Sequence, residues 1–367
     1  MTKESDLQNK FDECVEGMID LAKYMDDFNT RRANEVTQCD NKSQEDTNQP
    51  LYSTPSEVIY SEGPFKVLRY NQKPENNTPL LIVPSLINRY YILDLMEDTS
   101  FVKFMSENGI NVYVLDWGIP GKAQDHLGLD TYIFKWISRA VNKVLKDSQE
   151  EKLTLMGYCM GATISAIYAS ENTDKINGFL SLAAPYDFSG KDPLSVMARE
   201  LDVDKLVDST GHIHPDIMQA GFTIAQPTAF YLKMKSLYQN GKNKKRNNTF
   251  IHLERWLSDN IPFPKEAYRE YIKGFYQDNL LPKGKLSIGN KKIDLKKLDV
   301  PVLSVLAKKD NIVPEQAALA LHDMVGSEDK KLIEIDAGHI GVIMGRKANH
   351  AWCGMLNWIK ELQRKEV

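Results

Sequence analysis

The sequence lacks several features that would define other classes of protein. Its four cysteines, Cys14, Cys39, Cys159 and Cys353, lie far apart with no CxxC pair, which favours neither a disulfide framework nor a zinc site. The net charge of −4 does not supply the strongly basic face expected of a nucleic-acid-binding protein. There is no apolar signal-peptide core and no apolar run long enough to span a bilayer. We therefore expect a cytoplasmic protein with no transmembrane segment, in which a free thiol can persist.

The first 50 residues differ from the remainder of the chain. Within about residues 6–28, apolar side chains recur at helical spacing, and the polar tract 29–49 is typical of a linker. The amphipathic stripe could dock on the protein's own body or on a partner, and the sequence favours neither. The whole chain of 367 residues is long enough for one large α/β domain with an insertion, or for two domains.

From residue 56 onward, short apolar runs alternate with helical patterns. Segments 57–61 and 65–71 flank a Glu-Gly-Pro turn and are typical of an edge hairpin. Six further runs are apolar on both faces: 79–84, 111–117, 152–158, 176–183, 300–307 and 331–336. Strands that are apolar on both faces and alternate with helices indicate a parallel sheet covered by helices.

The most informative motif is Gly157-Tyr158-Cys159-Met160-Gly161, which joins an apolar strand to a helix of small residues. It has the form of the α/β-hydrolase nucleophile elbow, with cysteine in place of serine. The two glycines permit a sharp turn that lifts the thiol to the head of the helix. That position favours the thiolate and leaves backbone N–H groups for an oxyanion. The alternative interpretation is a buried structural cysteine.

Two later segments supply the partners that a nucleophilic cysteine needs. Asp310 ends the apolar run that begins near Val302, and His339 follows the next run between two glycines, Gly338 and Gly341. The order nucleophile, acid, histidine is that of α/β hydrolases. We predict a catalytic triad of Cys159, Asp310 and His339.

The oxyanion hole is expected to use two backbone N–H groups. One belongs to Met160, directly after the nucleophile, and the other to Ile87 or its neighbour Leu86, in the loop after run 79–84. The remaining candidates are expected to have packing, surface or cap roles: Cys353 (packing), His322 and His350 (surface), and His212 and His214 (structural or cap, with no metal-binding cluster beside them).

These features together predict an α/β-hydrolase fold with a mostly parallel central sheet and an inserted cap domain. The core comprises residues 51–185 and 297–367, and the cap comprises residues 186–296, where the strand alternation stops. The cap segment is rich in aromatic residues, most of which we expect to form its own core, while some line a substrate channel. In the loop 116–118, Asp116 is interpreted as part of a structural turn rather than as a catalytic acid.

A cysteine nucleophile suits acyl transfer from a thioester. Attack on an acyl-CoA by cysteine forms another thioester, so the acyl group stays reactive towards an alcohol, whereas serine would form a less reactive oxoester. Net ester synthesis also requires the exclusion of water from the acyl-enzyme, which an aromatic cap could provide. On this reading acyl-CoA is a substrate, and no cofactor or metal is expected.

The chain resembles the catalytic subunits of polyhydroxyalkanoate synthases, of the short type that works with a second subunit. The resemblance rests on segments 84–95 (PSLINRYYILDL), 112–118 (VYVLDWG), 157–161 (GYCMG), 309–310 (KD) and 338–341 (GHIG). It extends from about residue 55 to the C-terminus, and the combination of the first and third segments is quite specific to that family.

The resemblance implies an enzyme that polymerises (R)-3-hydroxyacyl-CoA, with 3-hydroxybutyryl-CoA the expected substrate, and releases CoA. It makes Cys159 the nucleophile and His339 the general base, while Asp310 assists His339 or activates the 3-hydroxyl group. It also implies a helical helper subunit of the PhaE or PhaR kind, a homodimer formed through the cap, and association with polyester granules. Two positions depart from the family pattern: Ala162, where a second glycine is usual, and Asn311, where histidine is common.

Two other functions remain open at the level of sequence. A thioesterase or polyester depolymerase on the same fold would use water as the acceptor, although the cysteine nucleophile and segment 84–95 disfavour it. A granule-bound scaffold with a degenerate site is disfavoured by the intact set of triad residues. Enhanced reactivity of the Cys159 thiol would separate an enzyme from a scaffold.

Overall fold

A computed structural model describes residues 54–70, 79–225, 244–345 and 347–365. The predicted N-terminal amphipathic stripe and polar linker lie outside the described residues. Within the part of the chain that the structure describes, no helix is both long and apolar enough to cross a bilayer.

The core of the fold is an eight-stranded sheet. Its strands, numbered along the chain, are β1 (Glu57–Glu62), β2 (Phe65–Arg69), β3 (Pro79–Val83), β4 (Asn111–Asp116), β5 (Leu153–Tyr158), β6 (Ile176–Leu182), β9 (Val302–Ala307) and β10 (Lys330–Ile335). Their spatial order is β1-β2-β4-β3-β5-β6-β9-β10. The pairs β1–β2 and β2–β4 are antiparallel, and every later pair in the sheet is parallel. The predicted edge hairpin and the mostly parallel sheet are therefore confirmed.

Helices cover both faces of this sheet, and further helices lie between β6 and β9. They are α1 (Phe101–Glu107), α2 (Ser138–Ser148), α3 (Met160–Ser170), α4 (Pro193–Glu200), α5 (Val203–Thr210), α6 (Pro215–Ala225), α7 (Lys244–Ser258), α8 (Lys265–Tyr271), α9 (Glu315–Met324), α10 (Gly341–Met344) and α11 (Ala348–Lys365). Two π-helical stretches, Thr131–Ile137 and Ile272–Gln277, adjoin α2 and α8, and short 3₁₀ turns occupy Tyr90–Asp94, Glu97–Thr99, Lys122–Gln124, Thr173–Lys175 and Leu295–Lys297.

The apolar strands divide their side chains between two cores. In β3, Leu81 and Val83 join the core beneath α2 and α3, whereas Leu80 and Ile82 join the core beneath α1 and α11. This alternation follows from the two-residue period of a strand, and it explains why β3 is apolar at every position. Each such buried side chain contributes about 1.5–3 kcal/mol through removal of apolar surface from water.

Between β6 and β9 runs the stretch 186–296, which we call the inserted segment. It contains α4 to α8 and a small hairpin of β7 (Ser287–Ile288) and β8 (Lys291–Lys292). Its aromatic rings pack on one another: the Phe188 ring lies 4.8 Å from Tyr276, and Tyr271 lies 4.9 Å from Phe275. These rings pack together, but Phe188, Tyr271 and Phe275 belong to the same buried cluster as Leu81 and Val83 of β3 rather than to a separate core, and α6 has no buried residue.

Candidate active site

The thiol of Cys159 lies at a strained turn between β5 and α3. Cys159 has φ 55° and ψ −133°, a conformation that L-residues rarely adopt. Its N–H donates to the carbonyl of Leu182 at 2.9 Å, so the turn is tied to the neighbouring strand β6. The predicted elbow is thus present in the backbone, with its side chain at the head of a helix.

The two glycines of the motif are required by close backbone contacts. A Cβ on Gly161 would lie 2.2 Å from the carbonyl oxygen of Val83, so only glycine lets α3 approach the end of β3. A Cβ on Gly157 would lie 2.4 Å from the backbone nitrogen of Ala162. Ala162 itself is fully buried and is accommodated because position 157 has no side chain. Asn311, the other departure from the family pattern, is exposed.

The acid and the histidine meet at the carboxyl ends of β9 and β10. Asp310 Oδ2 lies 2.7 Å from His339 Nδ1, with Asp310 1% and His339 11% exposed. The other oxygen of Asp310 accepts hydrogen bonds from the N–H groups of Ile312 and Val313, both at 2.8 Å. These bonds fix the carboxylate, which leaves the far edge of the imidazole to face the thiol.

Cys159 and His339 line the same cavity, and Asp310 is hydrogen bonded to His339, so the structure brings together all three residues of the predicted triad. Burial lowers the pKa of His339, but the negative charges of Cys159 and Asp310 outweigh that effect and raise the pKa to about 10. At neutral pH the imidazole therefore carries a proton beside the sulfur. A cationic imidazole beside a cysteine is the usual setting of an activated thiol nucleophile.

The candidate oxyanion donors flank the thiol on two elements. Met160 is the first residue of α3, where a backbone N–H has no partner within the helix. Ile87 lines the pocket beside Cys159, whereas Leu86 is buried in the core. The N–H of Ile87 donates a hydrogen bond to Ser85 Oγ at 3.2 Å, so in this structure the candidate oxyanion donor is bound to a side-chain hydroxyl.

Trp117, from the predicted structural turn, supports the same loop. Its indole Nε1 donates to the carbonyl of Pro84 at 3.0 Å, and Pro84 begins the loop after β3. Asp116 Oδ1 accepts from the N–H of Gly118 at 2.9 Å, and burial raises the pKa of this carboxyl. The contacts of Asp116 are those of a turn residue.

Cys159 and His339 open into an apolar cavity of about 330 Å³. One wall comes from the strand-end loops and the other from α6 and α7 of the inserted segment. Its lining comprises Pro84, Ser85, Ile87, Asn88, Arg89, Ile92, Tyr158, Cys159, Gln219, Phe222, Thr223, Trp256, Leu257, Ile312, His339 and Ile340. Two aromatics of the inserted segment, Phe222 and Trp256, thus line the cavity.

A polar cluster that the sequence did not reveal links the loop after β3 to the end of α7. We call it the loop–segment contact and define it by Asn88, Arg89, Tyr91, Asp259 and Asn260. The Tyr91 hydroxyl donates to Asp259 at 2.6 Å, and Arg89 Nε lies 3.5 Å from the same carboxylate. Asn88 Nδ2 donates to Asn260 Oδ1 at 2.5 Å. The partners are separated by about 170 residues of chain, so no local pattern could have indicated the contact.

The other cysteine and histidine candidates lie apart from the triad. Cys353 is exposed on α11, so the prediction that it packs in the core was wrong: the buried face of that helix includes its neighbour Trp352 instead. His322 is half-buried on α9 and hydrogen bonds to Ser304 at 2.9 Å, which is also different from the expected surface position. His350 is exposed, as expected.

His212 and His214 of the inserted segment make separate ion-pair contacts. His212 lies 3.5 Å from Asp125, and His214 lies 3.2 Å from Asp216. Neither contact brings the two rings to a common ligand.

Comparison with known proteins identifies the fold of the chain. The family model for the α/β-hydrolase fold matches residues 78–345. A monoacylglycerol lipase of Paleococcus ferrophilus superposes with a TM-score of 0.52 at 17% identity, covering 81% of this chain and 99% of that structure. The protein is therefore a member of the α/β-hydrolase fold family, and the predicted fold class is confirmed.

A narrower family follows from sequence relatives. The N-terminal model of poly-beta-hydroxybutyrate polymerase (PhaC) matches residues 4–105. The poly(3-hydroxyalkanoate) polymerase subunit PhaC of Synechocystis sp. is 32% identical, covering 84% of this chain and 85% of that protein. The same subunit of Haloferax mediterranei is 34% identical over 84% of this chain but 64% of its own length. The chain belongs to the PhaC family of poly(3-hydroxyalkanoate) polymerase subunits, and the resemblance noted in the sequence is confirmed.

Proposed function

We propose that this protein is an acyltransferase that polymerises (R)-3-hydroxyacyl-CoA into polyester and releases CoA. The observation that carries the proposal is the Cys159–His339–Asp310 arrangement at a nucleophile elbow, in a chain of the PhaC family. Cys159 is the nucleophile and His339 is the acid–base group. Asp310 orients His339 and stabilises its protonated form.

The first half-reaction loads the enzyme. The Cys159 sulfur attacks the thioester carbonyl of acyl-CoA, and the oxyanion of the tetrahedral intermediate accepts hydrogen bonds from the N–H groups of Met160 and Ile87. Collapse breaks the bond to the CoA sulfur, which leaves with the proton held by His339. One thioester is exchanged for another, so the step is nearly isoenergetic.

The second half-reaction forms the ester. A 3-hydroxyl group attacks the Cys159 thioester and loses its proton to His339, while the sulfur leaves as the thiolate. The thiolate–imidazolium pair is restored and the acyl chain has gained one ester bond. Asp310 favours this step because its carboxylate stabilises the protonated imidazole.

The surroundings of the thiol favour transfer over hydrolysis. The cavity lining is mostly apolar, and the inserted segment supplies one wall of it, which fits a cap that limits water at the acyl-enzyme. We assign residues 186–296 as this cap and residues 51–185 and 297–367 as the α/β-hydrolase core. Ile87 lining the cavity beside the thiol favours its N–H over that of Leu86 as the second oxyanion donor.

The assembly of the protein follows from the same assignment. We propose a homodimer that works with a second helper subunit, in the cytoplasm, at the surface of polyester granules. Acyl-CoA acts as substrate, and none of the steps above calls for a cofactor. These proposals rest on the family and on the chemistry of the product.

The test follows CoA release from (R)-3-hydroxybutyryl-CoA with a thiol-trapping dye, together with turbidity from polymer, with and without a candidate helper subunit. We expect thiol release and rising turbidity for the wild type and for Cys353→Ala, the matched control on an exposed cysteine. Both signals should be lost in Cys159→Ala, because no acyl-enzyme can form.

Two outcomes would lead to different conclusions. Thiol release without turbidity, or hydrolysis of preformed polyester, would support the thioesterase or depolymerase alternative. No release in the presence of a helper subunit, together with ordinary reactivity of the Cys159 thiol, would indicate a scaffold and contradict the proposal.

A further inference from the structure

Tyr158, the last residue of β5, contacts the triad histidine through its ring. The Tyr158 ring lies nearly parallel to the His339 imidazole, with centroids 5.5 Å apart and 24° between the planes. Tyr158 is 4% exposed, so the contact lies away from bulk water. Tyr158 directly precedes the nucleophile in sequence, and the fold brings its side chain to His339, which lies 181 residues further along the chain.

The same residue makes a second contact with His339. The Tyr158 hydroxyl donates to the backbone carbonyl of His339 at 3.3 Å. Tyr158 therefore touches both the ring and the main chain of one residue, which lies in the loop between β10 and α10. Burial raises the pKa of the Tyr158 hydroxyl well above its ordinary value, and the charges of Cys159 and Asp310 add to the effect, so the hydroxyl stays neutral and keeps its proton.

These contacts restrain the tilt of the His339 imidazole, which the hydrogen bond to Asp310 does not fix. The bond from Nδ1 to Asp310 fixes one point on the imidazole, about which the ring plane can still tilt. A ring packed against the face of the imidazole opposes that tilt and keeps the far nitrogen directed at Cys159. The negative face of an aromatic ring also attracts the protonated imidazole.

We infer that Tyr158 is a positioning residue for His339: its ring sets the plane of the imidazole between Asp310 and Cys159, and its hydroxyl anchors the histidine loop. The inference rests on the proposed function, because it assigns a role within the same acyl-transfer site. Tyr158 acts through His339.

The experiment measures how fast iodoacetamide alkylates Cys159, resolved from the other cysteines by peptide mass spectrometry, as a function of pH. The pKa of His339 is followed in parallel by NMR. Tyr158→Phe keeps the ring and removes the hydroxyl, whereas Tyr158→Met removes the ring and retains an apolar side chain. Tyr168→Met is the matched control, since Tyr168 is a buried tyrosine of α3 with no contact to the triad given by the structure.

We expect Tyr158→Met to slow alkylation at neutral pH by about tenfold, a loss corresponding to about 1.4 kcal/mol, and to lower the pKa of His339. Tyr158→Phe should restore most of the rate, within about threefold of wild type, and Tyr168→Met should leave the pH profile of alkylation unchanged. A structural role alone would lower the melting temperature of both methionine variants and would not move the pKa of His339.

The inference is overturned if folded Tyr158→Met retains the wild-type rate and the wild-type pKa of His339. Should that variant not fold, Tyr158→Leu, which also removes the ring, is measured in its place: a tenfold loss would support the inference, and the wild-type rate with the wild-type pKa of His339 would overturn it. If wild-type Cys159 reacts no faster than the exposed Cys353, the proposed function itself fails, and the role of Tyr158 fails with it.

Discussion

The two walls of the active-site cavity are built in different ways. On the wall that carries the triad, Cys159 and Asp310 lie in turns that follow the buried strands β5 and β9, and the Asp310 side chain is 1% exposed. His339 follows the edge strand β10, of which only Ile335 is buried. On the opposite wall, α6 has no fully buried residue, and its Ile224 is 67% exposed. Both walls face the same sulfur, yet the second is only partly buried: Trp256 of α7 lies in the core, whereas α6 has no buried residue.

The difference separates two requirements of the proposed reaction. Proton transfer needs atoms held at hydrogen-bond distance, which turns anchored to a rigid sheet can provide. Entry of an acyl-CoA and growth of a polymer need a wall that can move, and elements with few buried contacts open at low free-energy cost. The loop–segment contact joins the two walls through charged and polar groups, and Trp256 Nε1 of α7 adds a hydrogen bond to the carbonyl of Arg89 at 2.9 Å.

The largest effect is expected on the rigid wall, from Asp310→Asn. Asparagine can still accept from the N–H groups of Ile312 and Val313, but the negative charge beside His339 is lost. We expect the pKa of His339 to fall and acyl transfer to slow by about 100- to 10,000-fold, the range of general acid–base catalysis. CoA release and an NMR titration of His339 measure the two effects.

The control for that variant is Asp336→Asn. Asp336 is nearby but exposed, and it pairs with Lys309 and Lys347. A similar loss of activity in both variants would show that charge in the region, rather than the bond to His339, is what matters.

The second prediction concerns the approach of α3 to β3. Gly161→Ala places a Cβ 2.2 Å from the carbonyl oxygen of Val83 and 2.5 Å from that of Pro84, so the nucleophile helix must move away. We expect a loss of about 1–3 kcal/mol in the free energy of unfolding together with reduced alkylation of Cys159. In the control Gly121→Ala, the new Cβ meets its nearest atom at 3.7 Å, and unchanged stability is expected. Equal melting temperatures for the two variants would refute the steric argument.

The third prediction tests the join between the walls. Tyr91→Phe removes the hydroxyl that donates to Asp259 at 2.6 Å. We expect the free energy of unfolding to fall by about 1.5–3 kcal/mol, which is typical of a hydrogen bond to a charged group. We also expect kcat/KM to fall by about tenfold, because the loop after β3 carries the oxyanion donor Ile87. Tyr60→Phe removes a comparable bond to Glu62 at the far edge of the sheet and should spare kcat/KM. Unchanged kcat/KM in Tyr91→Phe would mean that the bond to Asp259 is not needed to hold the oxyanion loop, to which Asn260 and Trp256 are also bonded.

The smallest effect is expected on the loosely packed wall. Ile224→Ala on α6 should change the free energy of unfolding by less than about 0.5 kcal/mol, because the side chain is already exposed. Leu303→Ala in β9, where leucine is 1% exposed, should cost about 2–5 kcal/mol. Chemical denaturation of both variants measures the contrast, and equal losses would mean that α6 is buried in solution.

Much of the fold was predictable because its signals are local. A run apolar at every position, such as β3, is typical of a strand covered on both faces, and the alternation of such runs with helices implies a parallel sheet. The edge strand β10 is the exception, because most of its residues are exposed. The triad was predictable for a related reason: in parallel sheets the carboxyl ends of strands meet at one edge, so side chains just after β5, β9 and β10 converge. The elbow was indicated by its two glycines, whose lack of Cβ atoms permits close backbone approach.

The sequence by itself determined the chemistry: a thiol at a tight turn, an acid and a histidine in a fixed order, and strands that bring them to one edge. Only the tertiary structure decided the contacts that adjust this chemistry, including Tyr158 against His339, Trp117 beneath Pro84, and Tyr91 against Asp259. It also decided that Cys353 is exposed. An amphipathic pattern locates the buried face of a helix only to within about one residue, and one residue is more than a quarter of a helical turn. The reason is physical: local patterns record which side chains are buried, whereas their partners depend on how distant elements pack.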